Sequence, residues 1–275
     1  MTVASLRSLM TTGIQSAIQR ASHKTGVDFT YLLGQAQVES SLNPTAKAAT
    51  SSASGLYQFI DQSWLATLKK HGAAHGLGWA ADAIGGPGGQ HHVADPATRQ
   101  AVMQLRNDPE IASLMAAEHA ADNKAELEQS LGRPVGGTDL YMAHFLGLGG
   151  ARKFLGVLER NPDAPAASLF PAAAGANRGV FFGEGGRARS VAEVYDRFAA
   201  KLQRGAEVAA GGKPLPPVAA PEAPAFRLAL AQPQEDDGTS TLDQLLVARA
   251  ERASLLRPNP DNARLAYMML ASMGA

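Results

Sequence analysis

The chain has no cysteine, which excludes disulfides and thiolate metal sites and leaves the compartment open. It also has no net charge, since 25 Lys and Arg balance 25 Asp and Glu. No global field therefore draws it to nucleic acid or to an anionic membrane surface, and neither is expected as a partner. A third absence is any apolar run of about 18 residues or more, so no transmembrane helix is expected. Strand-like alternation of useful length is missing too, which leaves a mostly α body. With 275 residues, 45% of them apolar and 18% charged, the chain is globular and has room for one domain plus extras or two small domains.

Met1 to Gln15 carries one Arg and no continuous apolar core, so it does not read as a secretion signal. Instead Val3, Leu6, Met10, Ile14, Ala17 and Ile18 fall at helical spacing and predict a helix over about Val3–Ala21. Asp28 is the expected N-cap of a second helix. Pro44 excludes helical geometry at Asn43 and ends that segment. Asp61 or Ser63 is read as the cap of a helix carrying Trp64, Leu65 and Leu68 and stopping at Gly72. Residues 71–95 read as irregular. Helices are expected over about Pro96–Arg106 and Glu110–Leu131, and from Thr138 or Asp139 to a break at Gly147. Shorter helices are expected over Ala151–Arg160 and Ser190–Arg204. Composition shifts at Gly205. The expected organisation is therefore a main domain over 1–204, a Pro/Ala-rich linker over 205–240, and short amphipathic helices over 241–275. Helices that short are unstable alone, so they are expected to dock on the body, on each other or on a protein partner.

The chemistry concentrates in Tyr31 to Phe59. A mostly apolar helix spends its last turn on an acid, Glu39. A small, hydroxyl-rich loop follows and closes on Gly55-Leu56-Tyr57-Gln58-Phe59. A general acid working near neutral pH needs a carboxyl in an apolar, desolvating setting, part of which Leu32, Ala36 and Val38 can supply. Taken alone, Glu39 would read as an ordinary surface acid near a helix end.

The set Glu39-Ser40, Asn43-Pro44, Ala46, Ala53 and Gly55-Leu56 with Gln58 resembles the soluble lytic transglycosylase (SLT-domain) family of peptidoglycan-cleaving enzymes. A later block, Ala143-His144-Phe145-Leu146-Gly147 with Tyr141 upstream, is similar to the family's Ala-Tyr-Asn-Ala-Gly helix end. It looks more like a subset with Tyr-x-Ala-His-Phe-Leu-Gly followed by a segment like Asn177 to Tyr195. The likeness spans about residues 20–160 and is thin over 70–135. The chain departs from the family pattern at His144 and Phe145, where Tyr and Asn are usual. It also departs at Tyr57, where Met is usual, and at Ser52, where Gly is common, in a loop about one residue longer.

The resemblance implies a lysozyme-like fold of the goose-type and lytic transglycosylase kind. It implies cleavage of the β-1,4 bond between N-acetylmuramic acid and N-acetylglucosamine in bacterial cell-wall strands. Glu39 would protonate the glycosidic oxygen, then take the proton of the sugar 6-hydroxyl as a 1,6-anhydro ring closes. No cofactor is implied. Ser40, Ser51, Ser52 and Gln58 are candidates for hydrogen bonds to sugar. Tyr57 and Tyr141 are candidates for apolar contact or a phenolic bond. His144 is a candidate for a bond to Glu39 or to substrate, beside the plain reading of a satisfied core histidine. No second carboxylate of the kind two-carboxylate glycosidases use is nominated; Asp61, the nearest in sequence, reads as a helix cap.

Two further readings stand beside this one: a hydrolytic muramidase on the same fold, and a non-catalytic glycan-binding or assembly protein. His71 and His75 have i,i+4 spacing, with His91-His92 nearby, but Gly72 stands where a zinc protease motif needs Glu, so no metal is assigned. The Gly85–Gly89 run lacks the Lys-Ser/Thr and the preceding strand of a phosphate loop. By function, the expected location is the periplasm or cell envelope.

Overall fold

In the computed structural model, residues 3–49, 51–86 and 90–218 are described. The expected C-terminal helices and most of the expected linker lie outside them. The architecture is helical, with eleven α-helices among the described residues and one two-residue antiparallel ladder, β1 (Ile84–Gly85) with β2 (His92–Val93).

The organising element is α2 (Phe29–Ser40), which begins where Asp28 accepts a 2.7 Å hydrogen bond from the Tyr31 N–H, the cap expected from sequence. Thr30 to Ala36 are all buried, because α1 (Val3–Thr25), α6 (Pro109–Leu131), α7 (Gly137–Arg160) and α11 (Val191–Ala209) all pack against this helix. Of the apolar spacing read in α1, Ile14, Ala17 and Ile18 are buried, with Ala21 beside them, whereas Met10 is 60% exposed. α1 runs on to Thr25 and stops at Gly26, whose φ of 74° is left-handed.

α11 crosses α2 at unusually close range because glycines face each other there. A Cβ on Gly34 would lie 2.6 Å from the Leu202 carbonyl oxygen, and one on Gly205 would lie 3.0 Å from both Gly34 O and Val38 Cγ2. Gly34→Ala must therefore push two buried helices apart. The expected cost is about 1–3 kcal/mol of folding stability, read by urea denaturation. α11 continues through Gly205 to Ala209, beyond the expected end at Arg204, because Gly205 and Ala206 belong to this buried crossing.

α7 carries the second block of interest. Its N-cap is Gly136, not Thr138 or Asp139. Asp139 sits one turn inside, where its Oδ2 accepts from the Gly136 N–H at 3.1 Å. Its side chain has 0% exposure. It is also held by Arg133 at 2.7 Å and by the Tyr195 hydroxyl, which donates to Oδ1 at 2.9 Å. Burial works against the Arg133 charge, yet Asp139 and Glu159 hold that guanidinium above its ordinary range. The start of α7 is thus fastened to the connection that follows α6 and to α11. The break expected at Gly147 appears as a kink within one helix, with φ 70° and ψ 163° at that residue.

The region expected to be irregular, 71–95, instead holds a 3₁₀ turn (Gly72–His75), α4 (Gly78–Ala83) and the β1–β2 pair. The Pro/Ala/Gly-rich stretch before α11 forms three short helices, α8 (Ala166–Leu169), α9 (Pro171–Ala176) and α10 (Arg178–Phe181). Segments this short carry no amphipathic period long enough to read in sequence.

Candidate active site

Two walls are built from opposite ends of the chain. The first follows α2. At its end Ser41 and Leu42 take left-handed φ values of 54° and 58°, and Gln58 takes 48°. Among the described residues these are the only non-glycine residues with positive φ; Ser41 is the C-cap of α2, and Gln58 lines the cavity described below. Each costs about 1–2 kcal/mol that the surroundings must offset, a pattern typical of functional sites.

The loop after Asn43 folds back on itself. Ala46 O accepts from Gly55 N at 2.9 Å and from Gln58 Nε2 at 3.2 Å, and Gly55 O accepts from the same Gln58 amide at 2.9 Å. Ser40 ties the loop to the helix, its hydroxyl lying 3.0 Å from Ala36 O and 2.9 Å from Leu56 O. Arg106, in the 3₁₀ turn (Leu105–Asn107) after α5 (Pro96–Gln104), clamps the loop from behind. Its Nη1 lies 3.0 Å from Ser52 O, 2.9 Å from Phe59 O and 3.0 Å from Asp61 Oδ1. Gly55 is required here: its φ is 82°, and a Cβ would stand 2.2 Å from the Arg106 carbonyl oxygen.

Asp61 does not cap α3 (Asp61–His71); the N-cap is Ile60, which has no side chain suited to the task. Asp61 is instead the first helical residue and forms ion pairs with Arg99 and Arg106.

The second wall is α7, and it meets Glu39. The Tyr141 hydroxyl lies 3.4 Å from Glu39 Oε1, and His144 Nε2 lies 3.3 Å from the same oxygen. The Glu39 side chain has 0% exposure and that of His144 has 13%. Among the described residues, Glu39 Oε2 and His144 Nε2 have no partner in hydrogen-bond geometry. Burial, then the neighbouring Glu39 charge, hold the Tyr141 phenol well above its ordinary range. Burial, with Tyr57 and Glu39 adding, does the same for Tyr31. On the α11 side the half-buried Lys201 is drawn below its ordinary value by burial, with the Glu39 charge opposing.

Between the walls is a cavity of about 200 Å³, lined among others by Tyr31, Gln35, Tyr57, Gln58, His119 and His144. Its lining holds no carboxylate. The Tyr57 hydroxyl is buried and unpartnered among the described residues; Ser113 lies beside it without hydrogen-bond geometry. His119 of α6 packs edge-on against Phe59 at 6.0 Å. Burial, reinforced by His144, pushes the His119 imidazole down from 6.5 to about 4.

The folded protein therefore binds fewer protons at His119 than the unfolded chain between those two values, and stability is lost as pH falls through that window. Urea melts at pH 7 and 4.5 should show His119→Leu losing less stability than the parent, by about 2 kcal/mol after allowing for the open side of the cavity.

Of the residues nominated from sequence, the structure brings Glu39, Tyr141 and His144 together, and puts Tyr57, Gln58 and His144 on the cavity. Ser40 and Ser52 are not on its lining. The Ser40 hydroxyl serves the helix–loop junction, and the Ser52 hydroxyl accepts from the Asp61 N–H at 3.1 Å. His71 and His75 face α6. His71 lies 2.8 Å from Asp122 and 3.3 Å from Glu118, and His75 lies 2.6 Å from Glu118. Among the described residues no group of three His, Asp or Glu side chains is placed to hold a metal. No described helix is long and apolar enough to cross a membrane. Gln35, His119 and Lys201 were not nominated from sequence. Gln35 alone had a signal, one helical turn before Glu39 on a face shared with Tyr31.

A buried helix ending in an acid, a Gly-Leu-x-Gln wall with left-handed backbone at Gly55 and Gln58, and a second helix closing over the carboxyl make up the site. Residues 16–76 match the model of the transglycosylase SLT domain. The match covers Glu39 and the first wall and supports a function of lytic transglycosylase type on glycans. Tyr141 and His144 lie outside the matched segment.

Proposed function

We propose that the protein is a peptidoglycan lytic transglycosylase in which Glu39 serves as both acid and base. The observation that carries this reading is the fully buried Glu39 carboxyl beside His144 of a cavity whose lining offers no carboxylate of its own. Glu39, protonated, gives its proton to the glycosidic oxygen between N-acetylmuramic acid and N-acetylglucosamine, and that C–O bond breaks. The positive charge developing at the muramic C1 is met by the substrate's own acetamido oxygen. Glu39, now a carboxylate, takes the proton of the 6-hydroxyl, whose oxygen bonds to C1 and closes the anhydro ring. The acid is thereby restored and no water is consumed. Tyr141 orients Oε1 throughout, its phenol remaining a donor because burial keeps it protonated. Cell-wall strands lie outside the cytoplasmic membrane, so the proposed site of action is the periplasm or cell envelope.

Digestion of purified sacculi in heavy-oxygen water tests the reading. Muramic ends free of the heavy isotope are expected. Its incorporation would assign the site to a hydrolytic muramidase instead.

A further inference from the structure

Glu39 stands behind a cover. A general acid must come within about 2.6–3.2 Å of the atom it protonates, yet the Glu39 side chain has 0% exposure and is not among the residues lining the cavity. Some neighbour has to move before a glycan oxygen can reach it. Tyr141 is a poor candidate: it is 1% exposed and its ring packs edge-on against Phe198 at 5.6 Å, beside the Phe145–Phe198 pair at 4.8 Å.

His144 is the opposite case. It touches Glu39 and lines the cavity at once. Its Nε2, 3.3 Å from Oε1, lacks hydrogen-bond geometry, so little is lost when it leaves. What holds the ring is a stack on Tyr141, centroids 5.8 Å apart and planes 17° from parallel. The residue also lies in the last turn before Gly147, where the helical path is interrupted, and Gly147 and Leu148 line the same cavity.

We propose that His144 is a positioning residue that gates Glu39. With the imidazole stacked on Tyr141 the acid is shut off. When the ring swings off that stack, the glycosidic oxygen takes its place at the carboxyl while Tyr141 keeps hold of Oε1. The gate rests on the reading of Glu39 as the acid, but its opening can be measured without glycan. It also gives a physical role to one of the residues at which the chain departs from the family pattern.

The test is carbodiimide coupling of glycinamide to carboxyls of the full chain at one mildly acidic pH. Mass spectrometry follows the Glu39 and Asp139 peptides, Asp139 being equally buried and not among the residues lining the cavity. Glu39 in His144→Ala should be labelled at least about tenfold faster than in the parent, with Asp139 unchanged, as expected for a local opening. His144→Phe, which restores the bulk without the nitrogens, should return Glu39 to the parental rate. Three results would overturn the gate: no acceleration in His144→Ala, acceleration only in step with Asp139, or His144→Phe as fast as His144→Ala. Labelling needs no substrate, so a parent that failed to cleave sacculi would count against the proposed function and leave the gate standing.

Discussion

Glu39→Gln is expected to lower the rate of peptidoglycan cleavage by about 10²–10⁴-fold while leaving the protein at least as stable as the parent. Gln keeps the size and one oxygen of the side chain but can neither give nor take the proton. Both halves of the proposed reaction use that one carboxyl, and no other carboxylate lines the cavity to substitute for it. The loss should fall on kcat, with KM little changed, because the cavity-lining groups Gln58, Tyr57 and Gln35 stay in place. Stability should move the other way. The acid is fully buried with Oε2 unpartnered among the described residues, an arrangement that costs folding energy. Release of soluble muropeptides, read together with urea melts of both proteins, checks the two halves at once. A variant that still cleaved at the parental rate would remove Glu39 from its role.

Asp139→Ala should do the reverse, damaging the fold first and activity only through it. Asp139 is fully buried and accepts from Arg133, Tyr195 and the Gly136 N–H, joining the start of α7 to the connection that follows α6 and to α11. Removing it leaves Arg133 with the more exposed Glu159 and the Pro134 carbonyl, and takes from the Tyr195 hydroxyl its acceptor at 2.9 Å. Breaking one side of a buried pair typically costs about 3–5 kcal/mol, enough to consume much of a domain's stability. Urea denaturation should show a midpoint shift of that order. The activity of the fraction that remains folded should stay near parental, since Asp139 is not on the cavity. Comparing Glu39→Gln with Asp139→Ala thus separates the chemistry of the site from the scaffold that holds it.

Much of the first wall was legible in the sequence because its causes are local. Asp28 caps α2, the helix stops at Ser41 shortly before Pro44, and Gly55 takes a left-handed backbone, all within one stretch of chain around Glu39. The second wall was readable only through its likeness to a family block, since nothing local says that α7 closes over α2. What was missed is long-range. His119 reaches the cavity from an Ala-rich helix, and Lys201 approaches Glu39 only because Gly34 and Gly205 let α11 press against α2. Asp61 was misread for a subtler reason. An acid at a helix start can cap it or sit one residue inside, and the deciding partner, Arg106, is 45 residues away in sequence.

The most direct test of the account is the mass of what the protein releases from purified sacculi. A single carboxyl that acts in turn as acid and base, with the sugar's own 6-hydroxyl as nucleophile, predicts muropeptides ending in 1,6-anhydromuramic acid. Muropeptides with reducing muramic ends, or no release at all from correctly folded protein, would contradict it.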